Sequence, residues 1–276
     1  MREFRQVDVF SAEPPRGNPL AVVHDADGLT DQELQRFAHW TTHSETTFLL
    51  PPSHPEADYR IRIFTPGAEL PFAGHPTLGS AHAWLEAGGA PHREGEVVQE
   101  CGAGLVRVRQ GERLAFAAPP LVRSGPVDDA VRARVVRALA ITDDEIVDIA
   151  WVDNGPGWIG VLLADAEAVL AVEPDVAAFG DLDLGIVGPY PAGSECAVEV
   201  RGFAPGVGVI EDPVTGSLNA SLAQWLAGDR LPTSYVAAQG TVLGRTGRVH
   251  VEREGDTVWV GGDVTTVIKG TVGVGS

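Results

Sequence analysis

Three short stretches hold the side chains best suited to moving protons. Glu45 stands in His43-Ser44-Glu45-Thr46, His75 in Gly74-His75-Pro76-Thr77, and Asp212 in Glu211-Asp212-Pro213-Val214-Thr215-Gly216-Ser217. An imidazole and a carboxylate make an acid/base pair if the fold brings them together. Spacing alone does not select Glu45, since an acid between an amphipathic helix and an apolar strand is commonly a solvated loop residue. Gly74 and Gly216 each lead into a helical pattern. A helix start collects free N–H groups and the positive end of the dipole, so it can grip a carboxylate or phosphate without a basic side chain. The plain alternative is a pair of ordinary helix starts with no ligand.

Other chemistries find little support. His39 and His43 are four apart in HWTTHSE, a spacing that could put two imidazoles on one helix face. The zincin pattern has Glu after the first His, where this chain has Trp40, and no metal is expected. There is no G-x-S-x-G, and Ser217 has no evident base beside it. No G-x-G-x-x-G follows the first strand pattern, which argues against nicotinamide or flavin on a Rossmann unit. Lys269 is the one lysine against 19 arginines, which leaves little room for Schiff-base chemistry. Cys101 and Cys196 make no disulfide framework and are expected to be reduced thiols. No cofactor is expected.

The elements that would carry these residues are written twice. Arg62-Ile63-Phe64-Thr65-Pro66-Gly67 has its counterpart in Arg201-Gly202-Phe203-Ala204-Pro205-Gly206, and each copy runs through a Gly turn into a helical pattern ending in Trp84-Leu85 or Trp225-Leu226. Upstream, Val7–Phe10, the turn Gly17-Asn18-Pro19 and Leu20–Val23 read as strand, loop, strand. Ile149–Val152, Asn154-Gly155-Pro156-Gly157 and Ile159–Leu163 repeat that order. Thr30 and Glu33 form a capping box before a helix, and strands are expected at 46–50 and 59–64, with a helix over 77–87. In the second half, helices are expected at 128–139, 164–171 and 217–227, a strand at 196–203, and hairpins from 236 to 260. Two copies are too few for a solenoid and imply two similar lobes, with the seam at Ala117-Ala118-Pro119-Pro120.

The 276 residues are 44% hydrophobic and 21% charged, ordinary for a globular protein, and carry a net charge of −18. That charge opposes binding to nucleic acid or anionic membrane. No apolar run is long enough to span a bilayer, and MREFRQVDVF has no apolar signal core, so the expected address is cytoplasmic.

Taken together, Gly17-Asn18-Pro19, Ser44-Glu45-Thr46, Pro71–Thr77 and Glu211–Ser217 resemble the PhzF (phenazine biosynthesis) family, in order, from about residue 4 to about 265. The resemblance implies an α/β (α+β) fold of two pseudo-symmetric lobes, each a barrel-like β-sheet around a central helix. It also implies a site in the cleft between the lobes and a likeness to diaminopimelate epimerase. The lobes would be 1–118 with the C-terminal strand 263–276, and 119–262. The family's acid/base glutamate falls on Glu45 and its His and Asp on His75 and Asp212; Ser44, Gly74, Gly216 and Ser217 would bind substrate. Epimerases of this fold use a cysteine at each tip, and the matching positions here read as Ala73 and Pro213, so a two-thiol racemase is disfavoured. The implied activity is a cofactor-free proton shift in a small anionic unsaturated carboxylate or amino acid, in a homodimer. The alternatives are an inactive small-acid-binding protein of the same fold, or an amino-acid epimerase or racemase. The segments 51–58 and 185–195 are expected to choose the substrate.

Overall fold

The computed structural model describes residues 1–275, apart from the side chains of Val207 and Val209; Ser276, the end of the expected C-terminal segment, lies outside the described residues. Contacts divide the chain into two compact units, Met1–Ala117 with Gly261–Ser276, and Ala118–Val260.

The first unit begins with β1 (Arg2–Val9), β2 (Asn18–Val23), α1 (Asp31–Thr41), β3 (Thr46–Leu50), β4 (Tyr59–Phe64) and β5 (Glu69–Leu70). It continues with α2 (Gly74–Glu86), β6 (Glu96–Cys101), β7 (Gly104–Gln110) and β8 (Leu114–Ala117). The second unit holds β9 (Arg123–Pro126), α3 (Asp129–Leu139), β10 (Ile146–Asp153), β11 (Trp158–Leu163), α4 (Ala166–Ala171), β12 (Asp183–Pro189), β13 (Val198–Ala204) and β14 (Val209–Asp212). There follow α5 (Gly216–Leu226), β15 (Ser234–Gln239), β16 (Gly247–Glu254) and β17 (Thr257–Gly262), after which β18 (Val264–Val272) pairs antiparallel with β1.

The two units repeat one ladder. In the first, β1 and β2 are antiparallel, β2 and β3 parallel, and β3 and β4 antiparallel. A hairpin joins β4 to β5, and after α2 the chain returns as β6, parallel to β4. In the second, β10 and β11 are antiparallel, β11 and β12 parallel, and β12 and β13 antiparallel. Here β13 forms the hairpin with β14, and after α5 the chain returns as β15, parallel to β13. A parallel return needs a crossover, and each parallel pair has a helix between its strands.

The returning helices are the central ones. Along α2, Gly74 through Ala81 and Ala83 are buried, and along α5 every residue from Gly216 to Ala223 is buried. A helix apolar on most faces belongs inside a core. Glycine permits the close approach, though in different places. A Cβ at Gly79 of α2 would lie 2.6 Å from the Leu20 side chain on β2. Around α5 the glycine is on the strand: a Cβ at Gly185 would lie 2.1 Å from Leu218.

The sequence expectations hold for most helices and for β3, β4, β10 and β11. Two corrections are needed. Helix α2 starts at Gly74, not at 77, because Pro76 sits in the first turn, where its missing N–H is not required. Residues 183–189 form β12, so much of the expected 185–195 segment is strand. The end of α1 falls where the sequence reading puts its fraying, near Thr41-Thr42: His39 lies on the helix, Thr42 turns left-handed at φ 57°, and His43 does not continue its face.

Candidate active site

Each unit builds its tip with the same parts. In the first, Arg62 on β4 forks onto Glu69 on β5 with bonds of 2.7 and 2.6 Å, and its guanidinium lies 5.1 Å from the Phe64 ring. In the second, Arg201 on β13 forks onto Glu211 on β14 at 2.9 and 3.0 Å and lies 5.0 Å from the Phe203 ring. The repeated Arg-x-Phe is therefore the clamp that closes each hairpin and aims the chain into α2 or α5. The second clamp is deeper. Arg201 and Glu211 are 3% and 11% exposed, against 19% and 41% for Arg62 and Glu69. Arg201 also donates to the carbonyls of Val169 and Val172 at the end of α4.

Ala73 precedes α2 with an extended backbone and no side-chain cap, and Thr215 stands in the same position before α5. This corrects the expected match of Ala73 with Pro213; the helix registers pair Ala73 with Thr215. His75 and Ser217 then occupy the same place, the second residue of each helix.

The first tip brings Glu45 and His75 together. Glu45 follows the left-handed Thr42 that ends α1 and directly precedes β3. Its Oε2 lies 3.4 Å from His75 Nε2, with only 16% of the Glu45 side chain exposed. Burial pushes the Glu45 carboxyl up to about 7, opposed by a hydrogen bond from the half-buried Ser44. On the far side of the ring, Asn18 Nδ2 lies 3.4 Å from His75 Nδ1.

Asn18 is held from below. Asp8 Oδ2 accepts from the amides of Arg16 and Gly17 at 2.9 and 2.8 Å, which fixes the loop that delivers β2. Gly17 is required there, because a Cβ would lie 2.1 Å from the carbonyl oxygen of Val9. Asn18, buried at the first position of β2, thus arrives beside the imidazole. The Gly74 and His75 amides stand at the helix start, where the dipole favours an anion.

The second tip carries Asp212, Gly216 and Ser217. Thr215 Oγ1 donates to Asp212 Oδ2 at 2.7 Å and accepts from Gln239 Nε2 at 2.9 Å. Gln239 Oε1 accepts from the Thr215 amide and from Asn219 Nδ2. Trp158 Nε1 donates to Ser217 Oγ at 3.2 Å, and Asn154 Nδ2 donates to the Ser217 carbonyl at 2.9 Å. Asp153 Oδ1 accepts from the Gly155 and Gly157 amides, 2.7 Å each, the same device as Asp8 in the first unit. Cys101 and Cys196 are both buried with thiols pushed up by burial, and neither stands at a helix start.

Sequence reasoning gave no role to Asn18, Asn154, Trp158, Thr215 or Gln239. Asn18 is inside a quoted turn motif, and Trp158 opens the strand at the matching place in the second copy, so aligning the copies would have found both. Gln239 lies 24 residues beyond Thr215, and no local pattern joins them. Among the described residues, no group of three or more His, Cys, Asp and Glu is arranged to hold a metal ion, and no helix is long and apolar enough to cross a membrane.

Residues 7–270 match the family model described as phenazine biosynthesis-like protein. The chain is 36% identical over 289 residues to Antisense-enhancing sequence 1 of Schizosaccharomyces pombe, covering 97% of each chain. It is 34% identical to the trans-2,3-dihydro-3-hydroxyanthranilate isomerase of Pseudomonas aeruginosa, covering 92% of this chain and 91% of that one. Its fold superposes on a crystal structure of a PhzF-family phenazine biosynthesis protein from Enterococcus faecalis with TM-score 0.81, 25% identity and 98% of each chain covered.

Proposed function

The chain belongs to the phenazine biosynthesis-like (PhzF) family and is an isomerase, and we propose that it moves a proton within a small unsaturated carboxylate or amino acid, with Glu45 as the shuttle. The observation that carries this reading is the buried Glu45 carboxyl, raised to about 7 and lying 3.4 Å from His75 Nε2. A group that titrates near neutrality can both take a proton and return it.

In this reading the ionised Glu45 removes a proton from a carbon next to the unsaturated system. The C–H electrons enter the π-system, the double bond moves, and the distal carbon takes the proton back from the Glu45 carboxylic acid. One C–H bond breaks and one forms, with no net redox change. An N–H at His75 Nε2, 3.4 Å from Glu45 Oε2, favours the carboxylate before the first transfer and after the second. The amides of Gly74 and His75 grip the anionic group of the substrate. Ser44, Gly216 and Ser217 are assigned to substrate binding, and Asp212, held by Thr215, to setting the path of the proton.

The P. aeruginosa relative makes trans-2,3-dihydro-3-hydroxyanthranilate the first substrate to try. Incubation in deuterated water followed by proton NMR should show conversion, with the new C–H position partly labelled from solvent. No conversion of this compound or of related small unsaturated amino acids would remove the reading.

A further inference from the structure

We propose that Asn18 is a positioning residue that holds His75 as its Nε2–H tautomer, so that the ring turns an N–H toward Glu45 and cannot take the shuttled proton. The inference rests on the reading of Glu45 as the shuttle. Both side chains are shut away from solvent, Asn18 at 1% and His75 at 3% exposure. Asn18 meets the ring through its amide nitrogen, 3.4 Å from Nδ1. An amide nitrogen only donates, so Nδ1 must present its lone pair. A neutral imidazole carries one N–H, which therefore sits on Nε2, the atom 3.4 Å from Glu45 Oε2.

The other tautomer would be harmful. A lone pair on Nε2 would face the carboxyl and compete for the proton that Glu45 must return to carbon. Asn18 prevents this with an uncharged donor, leaving the buried site without a further charge. Its placement is rigid, because Asp8 ties down the amides of Arg16 and Gly17 just ahead of it.

The second unit repeats the arrangement with different chemistry. Trp158 is the first residue of β11, as Asn18 is of β2, and Ser217 is the second residue of α5, as His75 is of α2. The indole N–H of Trp158 also only donates, and it gives its hydrogen to Ser217 Oγ at 3.2 Å. In both units a donor at the head of the second strand sets the hydrogen-bond polarity of the tip residue.

The test is a long-range proton–nitrogen correlation spectrum of histidine-labelled protein at pH 8, with the ring assigned by its absence in His75→Gln. Wild type should show His75 as the Nε2–H form. Asn18→Asp is close in shape but offers an acceptor to Nδ1, and should move the proton to Nδ1 or charge the ring. With trans-2,3-dihydro-3-hydroxyanthranilate, Asn18→Asp should lower kcat on the order of 10²-fold while KM changes little. A wild-type ring protonated at Nδ1 overturns the proposal, whatever becomes of the variant. So does an Asn18→Asp protein that keeps both the Nε2–H form and its kcat. The spectra need no substrate, so a protein that shows the Nε2–H form but converts nothing would sink the isomerase reading and not this one.

Discussion

The role proposed for Glu45 sets a chemical requirement against stability. Its carboxyl rises from an ordinary 4.5 to about 7 because folding removes it from water. The folded state therefore keeps a proton that the unfolded chain gives up. Below pH 4.5 both states are protonated and nothing is lost. Between pH 4.5 and about 7 stability falls as pH rises, and above that the full penalty stands. That penalty is at most about 3 kcal/mol. Glu45→Gln should be more stable than wild type at pH 8, with the advantage shrinking toward pH 5, as urea denaturation would read. An equal difference at both pH values would mean that burial does not raise this carboxyl. The pH profile of kcat/KM should rise through a limb near 7, the value at which Glu45 becomes a base. Ser44→Ala should move the limb up, since the hydrogen bond from Ser44 holds the carboxyl down. An unmoved or lowered limb would mean that Ser44 does not hold the carboxyl down. None of this was legible from spacing, because Glu45 owes its character to burial. Only the Ser44-Glu45-Thr46 motif, read with its companions, pointed to it.

At the scale of elements, the duplicated Arg-x-Phe was visible as a repeat but not as a clamp. What it closes is a hairpin, and its partners Glu69 and Glu211 are 7 and 10 residues away. The difference in depth between the copies was not legible at all, because neighbouring strands decide it. It carries a prediction. Arg201→Ala leaves Glu211 buried without its partner and strips the end of α4, which should cost about 3–5 kcal/mol. Arg62→Ala removes a wetter pair, worth about 1 kcal/mol or less. Chemical denaturation of the two variants compares them directly, and equal losses would show that burial does not separate the two clamps. Gly185→Ala should be costly too, since its Cβ would fall 2.1 Å from Leu218, whereas Gly67→Ala meets nothing within 4 Å. No strand was expected between 87 and 128, yet β6, β7, β8 and β9 lie there. The alternation Val106-Arg107-Val108-Arg109 is the strand signal of β7, half of it written in charged residues.

For the molecule as a whole, the proposed reading makes the duplication the means by which a chain of net charge −18 would hold an acid. Each unit brings its own helix start, and the same ladder of strands presents it. The two-lobed organisation was legible because the repeat spans strands, turns and helix together, while the networks around Gln239 and Trp158 were not, because they join residues far apart in the chain. In the proposed reading the unlike tips have unlike roles, Glu45 and His75 serving the proton and Ser217 the substrate. Calorimetric binding of substrate should therefore survive Glu45→Gln and weaken on the order of tenfold or more in Ser217→Leu, where a bulky side chain fills the helix start. The central claim, a single carboxylate shuttling the proton, is tested most directly by turnover of trans-2,3-dihydro-3-hydroxyanthranilate in deuterated water by folded Glu45→Gln. The account predicts a rate near the upper end of the roughly 10²–10⁴-fold loss typical of a missing acid/base group, with substrate still bound. Turnover at close to the wild-type rate would contradict it and move the base to another residue.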